Sequence, residues 1–245
     1  MFELGNKEKK ADDAYYRGND YFNKGLFDKA ILEYTKVIIL QPDFGCGPYY
    51  NRAQTYMNKK EYDKAIEDYT KACNFKSQKL DAEMEADIYF GRGQAYLFNG
   101  NPDKAIDDFN EAIRVNPDDS YSYNLRSTIY NNKGEYDKAI SDLTQFIRLS
   151  SNNSTLLSEG YYKRGLVYQK KDLNEKALED YTQSINLNPS FADTYYRRGK
   201  IYYNYKEFDN AIADLKKTLQ IDPSHAAAST LLMGCNAMKL ISEGY

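Results

Sequence analysis

A motif of 34 residues recurs six times along this chain, and that repetition restricts the fold more than any other feature. Each copy is marked by an arginine followed by a small residue, and the small residues are Gly18, Ala53, Gly93, Ser127, Gly165 and Gly199. With the small residue at position 8, the repeats are 11–44, 46–79, 86–119, 120–153, 158–191 and 192–225. The chain is therefore predicted to be an array of similar units.

Each repeat has the pattern of two helices joined by a turn. Positions 4, 8 and 11 share one face of a first helix, and positions 20 and 24 share one face of a second. Position 11 is Tyr and position 20 is Ala in all six repeats, while position 24 is always large. Glycine at position 15 in three repeats predicts the turn. An Asp or Glu at position 18 is expected to cap the second helix or to favour its positive end.

This pattern, with a proline at position 32 in four repeats, resembles the tetratricopeptide repeat (TPR) family. The resemblance implies an all-α fold, a right-handed superhelical α-solenoid of six helix-turn-helix units over residues 11–225. Residues 1–10 are then an N-terminal extension, and residues 226–245 form a C-terminal capping helix.

Three residues depart from the pattern: Ser77 and Ser151 replace the proline, and Phe146 replaces a small residue at position 27. They bear on local packing and not on the fold. The two larger insertions follow the repeats without proline. Longer helix ends or loops are therefore expected near 79–85 and 151–157.

Two charged columns run through the repeats in step. Position 7 is always arginine: Arg17, Arg52, Arg92, Arg126, Arg164 and Arg198. Position 23 is always acidic: Glu33, Asp68, Asp108, Asp142, Asp180 and Asp214. Because a partly buried arginine requires a charged partner, the columns predict an ion pair between the helices of a repeat or between adjacent repeats. The alternative is an arginine row that binds an acidic ligand.

The resemblance places a ligand on the inner wall of the superhelix, at positions 2, 5, 9, 12 and 13 of the first helices. Position 5 is aromatic in five repeats, and aromatic and amide side chains suit peptide recognition. The alternative is that position 5 fills the seam between neighbouring first helices. The candidate peptide-binding residues are Asn19, Tyr50, Asn51, Phe90, Asn124, Tyr162, Lys163, Tyr196, Arg197 and Lys200.

Some TPR co-chaperones hold an acidic C-terminus in a carboxylate clamp, and Asn19 and Asn51 match its two asparagines. Tyr15, Asp87 and Gly91 stand where the clamp has cations, so a chaperone clamp is not expected in the first three repeats.

The last two repeats carry cations instead: Lys163 and Arg197 at position 6, and Lys200 at position 9. They predict a basic end of the groove for an acidic segment or carboxylate. An ordinary solvated helix face is the alternative.

No motif indicates catalysis, a metal site or a cofactor. His225 is the only histidine, and Cys46, Cys73 and Cys235 form no CxxC pair and are expected to be reduced thiols. A net charge of −3 argues against a nucleic-acid partner. No apolar run approaches the roughly 20 residues of a membrane span.

The sequence therefore predicts a non-catalytic, cytoplasmic protein-interaction scaffold that binds a peptide or protein segment in the concave groove. Self-assembly into a homo-oligomer, through the end helices, the Tyr-rich edges or the apolar tail, is the alternative. The pattern does not name the partner, because a fold does not fix a function.

Overall fold

A computed structural model describes residues 2–75 and 81–242, with side chains from residue 7 onward. These residues form α-helices and no strand, which confirms the predicted all-α class. The first helices of the six repeats are α1 (Phe2–Asn23), α3 (Gly47–Asn58), α5 (Ala82–Phe98), α7 (Ser120–Asn132), α9 (Ser154–Lys170) and α11 (Ala192–Asn204). The second helices are α2 (Phe27–Leu40), α4 (Tyr62–Cys73), α6 (Pro102–Val115), α8 (Tyr136–Leu149), α10 (Asn174–Leu187) and α12 (Phe208–Ile221), and α13 (Ala226–Ser242) follows them.

The chain divides into an N-terminal unit, residues 1–122, and a C-terminal unit, residues 123–245. Within the N-terminal unit, α1 packs on α2, α3 on α4 and α5 on α6, and α2 and α4 also pack on the first helix that follows them. Within the C-terminal unit, each helix from α8 to α12 packs on the next. Each unit is therefore a stack in which a helix contacts its neighbours in the sequence.

The core between the two helices of a repeat consists of the small and large residues that recur. The alanine at position 20 is fully buried in every repeat, and the side chain at position 24 is at most 2% exposed. A Cβ atom on Gly165 would lie 2.7 Å from the Tyr181 ring, and one on Gly18 would lie 2.6 Å from the Tyr34 ring. Glycine at position 8 therefore lets the large residue of the second helix approach the first helix closely.

The turn at position 15 has a left-handed backbone in all six repeats. Gly25, Gly100 and Gly134 have φ of 72–76°, as the glycines predicted. Lys60, Asp172 and Lys206 occupy the same position with φ of 56–62°. A side chain in this region costs about 1 kcal/mol, so the packing of the flanking helices sustains the turn where glycine is missing.

The acidic residue at position 18 does not cap the second helix, so of the two roles that the sequence left open only the interaction with the positive helix end remains. The N-cap residue is at position 16, and no side-chain cap bond forms in α2, α4, α6, α8, α10 or α12. Position 18 lies in the first turn, where its charge favours the helix dipole. It also contacts the helix pair or helix that follows: Lys59, at position 14 of repeat 2, donates to Asp28 at 2.5 Å, and Lys239 on α13 donates to Asp209 at 2.5 Å.

The two larger insertions lengthen the first helix that follows them. Helices α5 and α9 have 17 residues each, against 12 in α3 and 13 in α11. Asp81 caps α5, because its side chain accepts a hydrogen bond from the Met84 amide at 2.7 Å. Asn153 caps α9 in the same way and accepts hydrogen bonds from the Thr155 and Leu156 amides at 3.1 Å. Residues 76–80, which end repeat 2 and begin the first insertion, lie outside the described residues.

The ends of the chain and one irregular repeat complete the fold. Helix α1 already begins at Phe2, so residues 2–10 are continuous with the first helix of repeat 1. Phe146, which departs from the small residue typical of position 27, is fully buried. Gly160 makes room for it, since a Cβ there would lie 3.1 Å from the Phe146 ring.

Candidate functional site

The two charged columns pair with each other inside each repeat, as one of the sequence alternatives predicted. The arginine at position 7 and the acid at position 23 form an ion pair in all six repeats, with N–O distances of 2.6–2.8 Å. In repeats 2 to 6 the guanidinium donates two bonds, from Nε and Nη2, to one aspartate. The arginine row is therefore neutralised by the second helices.

A threonine column at position 25 extends the ion pairs to the preceding repeat, and the sequence reasoning missed it. Arg52 Nη1 donates to Thr35 at 2.8 Å, and Arg198 Nη1 donates to Thr182 at 3.0 Å. The same bond joins Arg92 to Thr70 and Arg164 to Thr144. Each of these arginines thus links three helices. Threonine recurs at this position in four repeats, and that recurrence is the signal that could have revealed the contact.

The tyrosines at positions 4 and 11 cover the arginine side chains. The Arg198 guanidinium lies 5.9 Å from the ring centres of Tyr195 and Tyr202. The position-4 tyrosines are not equally buried: Tyr195 is 8% exposed, whereas Tyr49, Tyr89, Tyr123 and Tyr161 are half-buried. Their rings shield the ion pair from water, which strengthens it electrostatically.

The aromatic residues at position 5 contact the large residue at position 24, on the second helix of the same repeat, as Tyr50 and Phe90 illustrate. Tyr50 lies 5.9 Å from the Tyr69 ring and receives a bond from Gln54 at 2.7 Å, and burial raises its pKa to about 12. Phe90 lies 6.0 Å from the Phe109 ring. Both are half-buried, so each presents only part of its ring to solvent.

Asn19 and Asn51, two predicted peptide-binding residues, meet in one hydrogen-bond cluster of the N-terminal unit. Asn51 Nδ2 donates to Asn19 Oδ1 at 2.9 Å and to Tyr15 Oη at 3.0 Å. Tyr34 Oη also donates to Asn19 Oδ1, at 2.9 Å. These amides are therefore engaged with α2 and with each other, and they join the first two repeats.

Lys163 and Asn124 also come together, in the C-terminal unit. Lys163 Nζ donates to Asn124 Oδ1 at 2.9 Å and forms an ion pair with Glu159 at 2.5 Å. Glu159 lies four residues earlier on the same helix, where i,i+4 pairs form readily. The positive charge of Lys163 is thus balanced within α9.

Arg197 is balanced in the same way. Its Nε donates to Asp193, four residues earlier, at 3.2 Å, and the Tyr162 hydroxyl donates to the same carboxylate. Burial and Asp193 raise the pKa of Tyr162. Burial acts to lower the pKa of Arg197, but Asp193 and Tyr162 outweigh it, and the net shift is upward. His225 Nε2 lies 3.7 Å from Asp193 Oδ1, so the carboxylate joins α9, α11 and the start of α13.

Two open cavities lie beside these residues in the C-terminal unit. One, of about 400 Å³, is lined by Tyr162, Lys163, Glu159, Ser158 and Phe191. The other, of about 530 Å³, lies between α11 and α13 and is lined by Tyr196, Lys200, Tyr203, Thr230, Leu231 and Gly234. Four of the predicted site residues therefore line a cavity: Tyr162, Lys163, Tyr196 and Lys200.

The two tyrosines at position 5 form the walls of these cavities. The Tyr162 ring lies 4.6 Å from Phe191, and the Tyr196 ring lies 4.7 Å from His225. These neighbours hold the rings in place. Each tyrosine thus packs against a neighbouring ring and also forms a wall of an open cavity.

Three further features bear on chemistry. In residues 2–75 and 81–242 no three His, Cys, Asp or Glu side chains come close enough to hold a metal ion, and no helix is long and apolar enough to cross a membrane. Cys46, Cys73 and Cys235 are free thiols. Burial raises the pKa of Cys73 to about 11, which makes it a poor nucleophile at neutral pH.

Comparison with known families supports the predicted resemblance. A sequence model of the tetratricopeptide repeat matches residues 48–76, 86–119 and 192–225, and two further models of this repeat match 109–141 and 174–205. Together the matches span more than half of the chain. No curated protein matches the sequence significantly.

Several solved structures share the fold. YrrB, a TPR protein with an unusual peptide-binding site, is 23% identical to this chain. The alignment covers 81% of this chain and 96% of YrrB with a TM-score of 0.67. MamA is 24% identical, and the alignment covers 76% of this chain and 96% of MamA with a TM-score of 0.65. PilF of Pseudomonas aeruginosa is 14% identical, and the alignment covers 94% of this chain and 99% of PilF with a TM-score of 0.68. At these identities the likeness shows the fold alone.

Proposed function

Because this chain belongs to the tetratricopeptide repeat family, we propose that it is a non-catalytic scaffold that binds a peptide or protein segment on its first helices. The observation that carries the proposal is the pair of cavities walled by Tyr162 and Tyr196. Concave surfaces with fixed aromatic walls and a few polar groups are suited to ligand binding. YrrB, which shares the fold, has a peptide-binding site.

The rest of the molecule supports a protein partner. The net charge of −3 lacks the excess of basic residues that nucleic-acid binding draws on. The arginines at position 7 form ion pairs with carboxylates of the same chain, so their charge is already balanced without an anionic ligand. Three free thiols suit a reducing compartment such as the cytoplasm, and we include that location in the proposal.

The test is selection of a random peptide library on the folded chain, followed by fluorescence anisotropy with the selected peptides. Tyr162→Ala should weaken binding by about tenfold or more, because the ring forms a wall of one cavity. Tyr121→Ala is the matched control, since Tyr121 is 55% exposed and lines neither cavity. Failure to select any peptide, or equal binding by both variants, would refute the proposal.

Self-assembly is a second candidate, favoured by one observation on α13. This helix exposes four large apolar side chains, Met233, Met238, Leu240 and Ile241, by 40–66%. An exposed apolar face of this kind is a common interaction surface. Deleting α13 would also uncover Leu215 and Ala211 beneath it, so point variants are the cleaner test.

Light scattering across protein concentration distinguishes this second candidate. A dimer or larger species that dissociates in Met233→Lys and Ile241→Lys would support self-assembly. A monomer at all concentrations would exclude it and leave peptide binding as the proposed function.

A further inference from the structure

The cavity between α11 and α13 combines apolar walls with one lysine, and it differs in charge from the cavity at α9. Its walls are the half-buried rings of Tyr196 and Tyr203 and the side chain of Leu231. Among the described residues, Lys200 is the only charged one that lines it. In the cavity at α9, by contrast, the lysine and the glutamate that line it neutralise each other.

Lys200 has no carboxylate partner among the described residues, unlike Lys163 and Arg197. The sequence explains the difference. Position i−4 is Glu159 for Lys163 and Asp193 for Arg197, but for Lys200 it is Tyr196. Of the three predicted cations, Lys200 is therefore the one without a carboxylate partner among the described residues, and it lies one helical turn from Tyr196.

The walls of this cavity are fixed by contacts outside it. The Tyr196 ring packs against His225 at 4.7 Å, and the Tyr203 ring packs against Phe208 at 6.0 Å. Gly234 leaves the opposite side open, since the nearest atom to a Cβ there would be Tyr203 Oη at 4.0 Å. A surface that is already ordered loses little entropy when an apolar side chain enters it.

We propose that this cavity binds a peptide segment in which a large apolar side chain stands next to an aspartate or glutamate. The apolar side chain fills the space between Tyr196, Tyr203 and Leu231, and the carboxylate pairs with Lys200. This inference rests on the proposed function and names the partner chemistry for one of its cavities.

An internal acidic residue fits better than a terminal carboxylate. Capture of a chain terminus relies on several converging donors, such as a backbone nest or a bidentate arginine. Here the charged lining consists of one lysine, which acts as a point charge. The neighbouring Arg197 pairs with Asp193 and does not line this cavity.

The test is a chemical-shift titration of the ¹⁵N-labelled chain with capped peptides, acetylated and amidated, that contain a central Leu-Glu, Leu-Gln or Ala-Glu pair. The Leu-Glu peptide should shift the amides of Thr230, Leu231 and Gly234. The Leu-Gln peptide should bind at least about fivefold more weakly, and the Ala-Glu peptide should produce no saturable shift. A Leu peptide with a free C-terminus and no acid tests the terminal carboxylate.

Two variants and one control complete the experiment. Lys200→Gln should bind Leu-Glu and Leu-Gln equally, and Gly234→Leu should fill the cavity and abolish the shifts. Lys216→Gln, an exposed lysine on α12 away from the cavity, should behave as the wild type.

Three results would overturn the inference: no shift at α13 with Leu-Glu, no difference between Leu-Glu and Leu-Gln, or tighter binding of the free C-terminal peptide. The experiments distinguish failure of this inference from failure of the proposed function. If selected peptides bind and depend on Tyr162 but not on Lys200 or Gly234, the scaffold proposal stands and this inference falls.

Discussion

Arg197 and Arg198 are neighbours on α11, yet they lie in opposite kinds of surroundings. Arg198 is 17% exposed, pairs with Asp214 on α12 through two hydrogen bonds and reaches Thr182 on α10. Arg197 is 37% exposed and pairs with Asp193 on its own helix. Arg198 belongs to a column that recurs in all six repeats, whereas position 6 varies from repeat to repeat.

This contrast separates two faces of the first helices. The recurring residues at positions 7, 8, 20, 23 and 24 hold each helix pair together, and they leave little for a ligand to contact. The cavities are lined instead by residues at positions 5, 6 and 9, namely Tyr162 and Lys163 of repeat 5 and Tyr196 and Lys200 of repeat 6. Substitutions on the first face should lower stability, and substitutions on the second should change binding.

The largest expected effect is that of Asp180→Ala, which leaves the partly buried Arg164 without its carboxylate. We expect it to lower the free energy of unfolding by about 3 kcal/mol, because an uncompensated charge remains in a low-dielectric site. Urea denaturation followed by circular dichroism measures this. Glu179→Ala, at the exposed neighbouring residue, should cost less than about 0.5 kcal/mol. Equal costs for the two variants would show that the ion pair is not structural.

Two glycine-to-alanine substitutions should change the stability of the fold in opposite directions. Gly165→Ala places a Cβ 2.7 Å from the buried Tyr181 ring and should destabilise by about 1–2 kcal/mol through overpacking. Gly234→Ala faces the cavity, where the nearest atom is 4.0 Å away, and should stabilise by about 0.5–1 kcal/mol through its helix propensity. Thermal unfolding midpoints compare them. A stabilising Gly165→Ala would contradict the close packing at position 8.

Thr182→Val should have a smaller effect, because it removes one of the three bonds of Arg198 and keeps its ion pair with Asp214. The expected loss is about 1 kcal/mol, typical of a single hydrogen bond. Thr230→Val is the control, since Thr230 is exposed and bonds only to the backbone of its own helix. If both variants lose the same amount, the threonine column does not link the repeats.

The smallest stability effect is expected at Glu33, whose partner Arg17 is 51% exposed at the start of the array. Burial acts to raise the pKa of Glu33, but Lys36 and Arg17 outweigh it and the pKa is lowered. A lowered pKa contributes stability at neutral pH that is lost as pH falls through the folded value. The difference in unfolding free energy between the wild type and Glu33→Gln should therefore shrink below about pH 4.5. A difference that grows there would contradict this assignment.

The sequence predicted the repeat packing well, because each of its columns recurs at the same position of a short unit. The pairing of Arg164 with Asp180 follows from two columns in step. The threonine contacts did not follow, because they join different repeats and depend on how one repeat stacks on the next.

The binding residues were harder to predict, because each occurs once or twice. The hydrogen bonds of Asn19 depend on the reach of the Tyr34 ring, which no spacing rule supplies. The pairing of Lys163 and Arg197 with acids four residues earlier was visible in the sequence. That spacing would have singled out Lys200 as the unpaired cation.

Hydrogen–deuterium exchange of the chain with and without a selected peptide tests the separation of the two faces most directly. We expect the greatest protection on the first-helix face of the C-terminal unit, in α9, α11 and α13. Greatest protection in α10 and α12, with α9, α11 and α13 unchanged, would contradict the account.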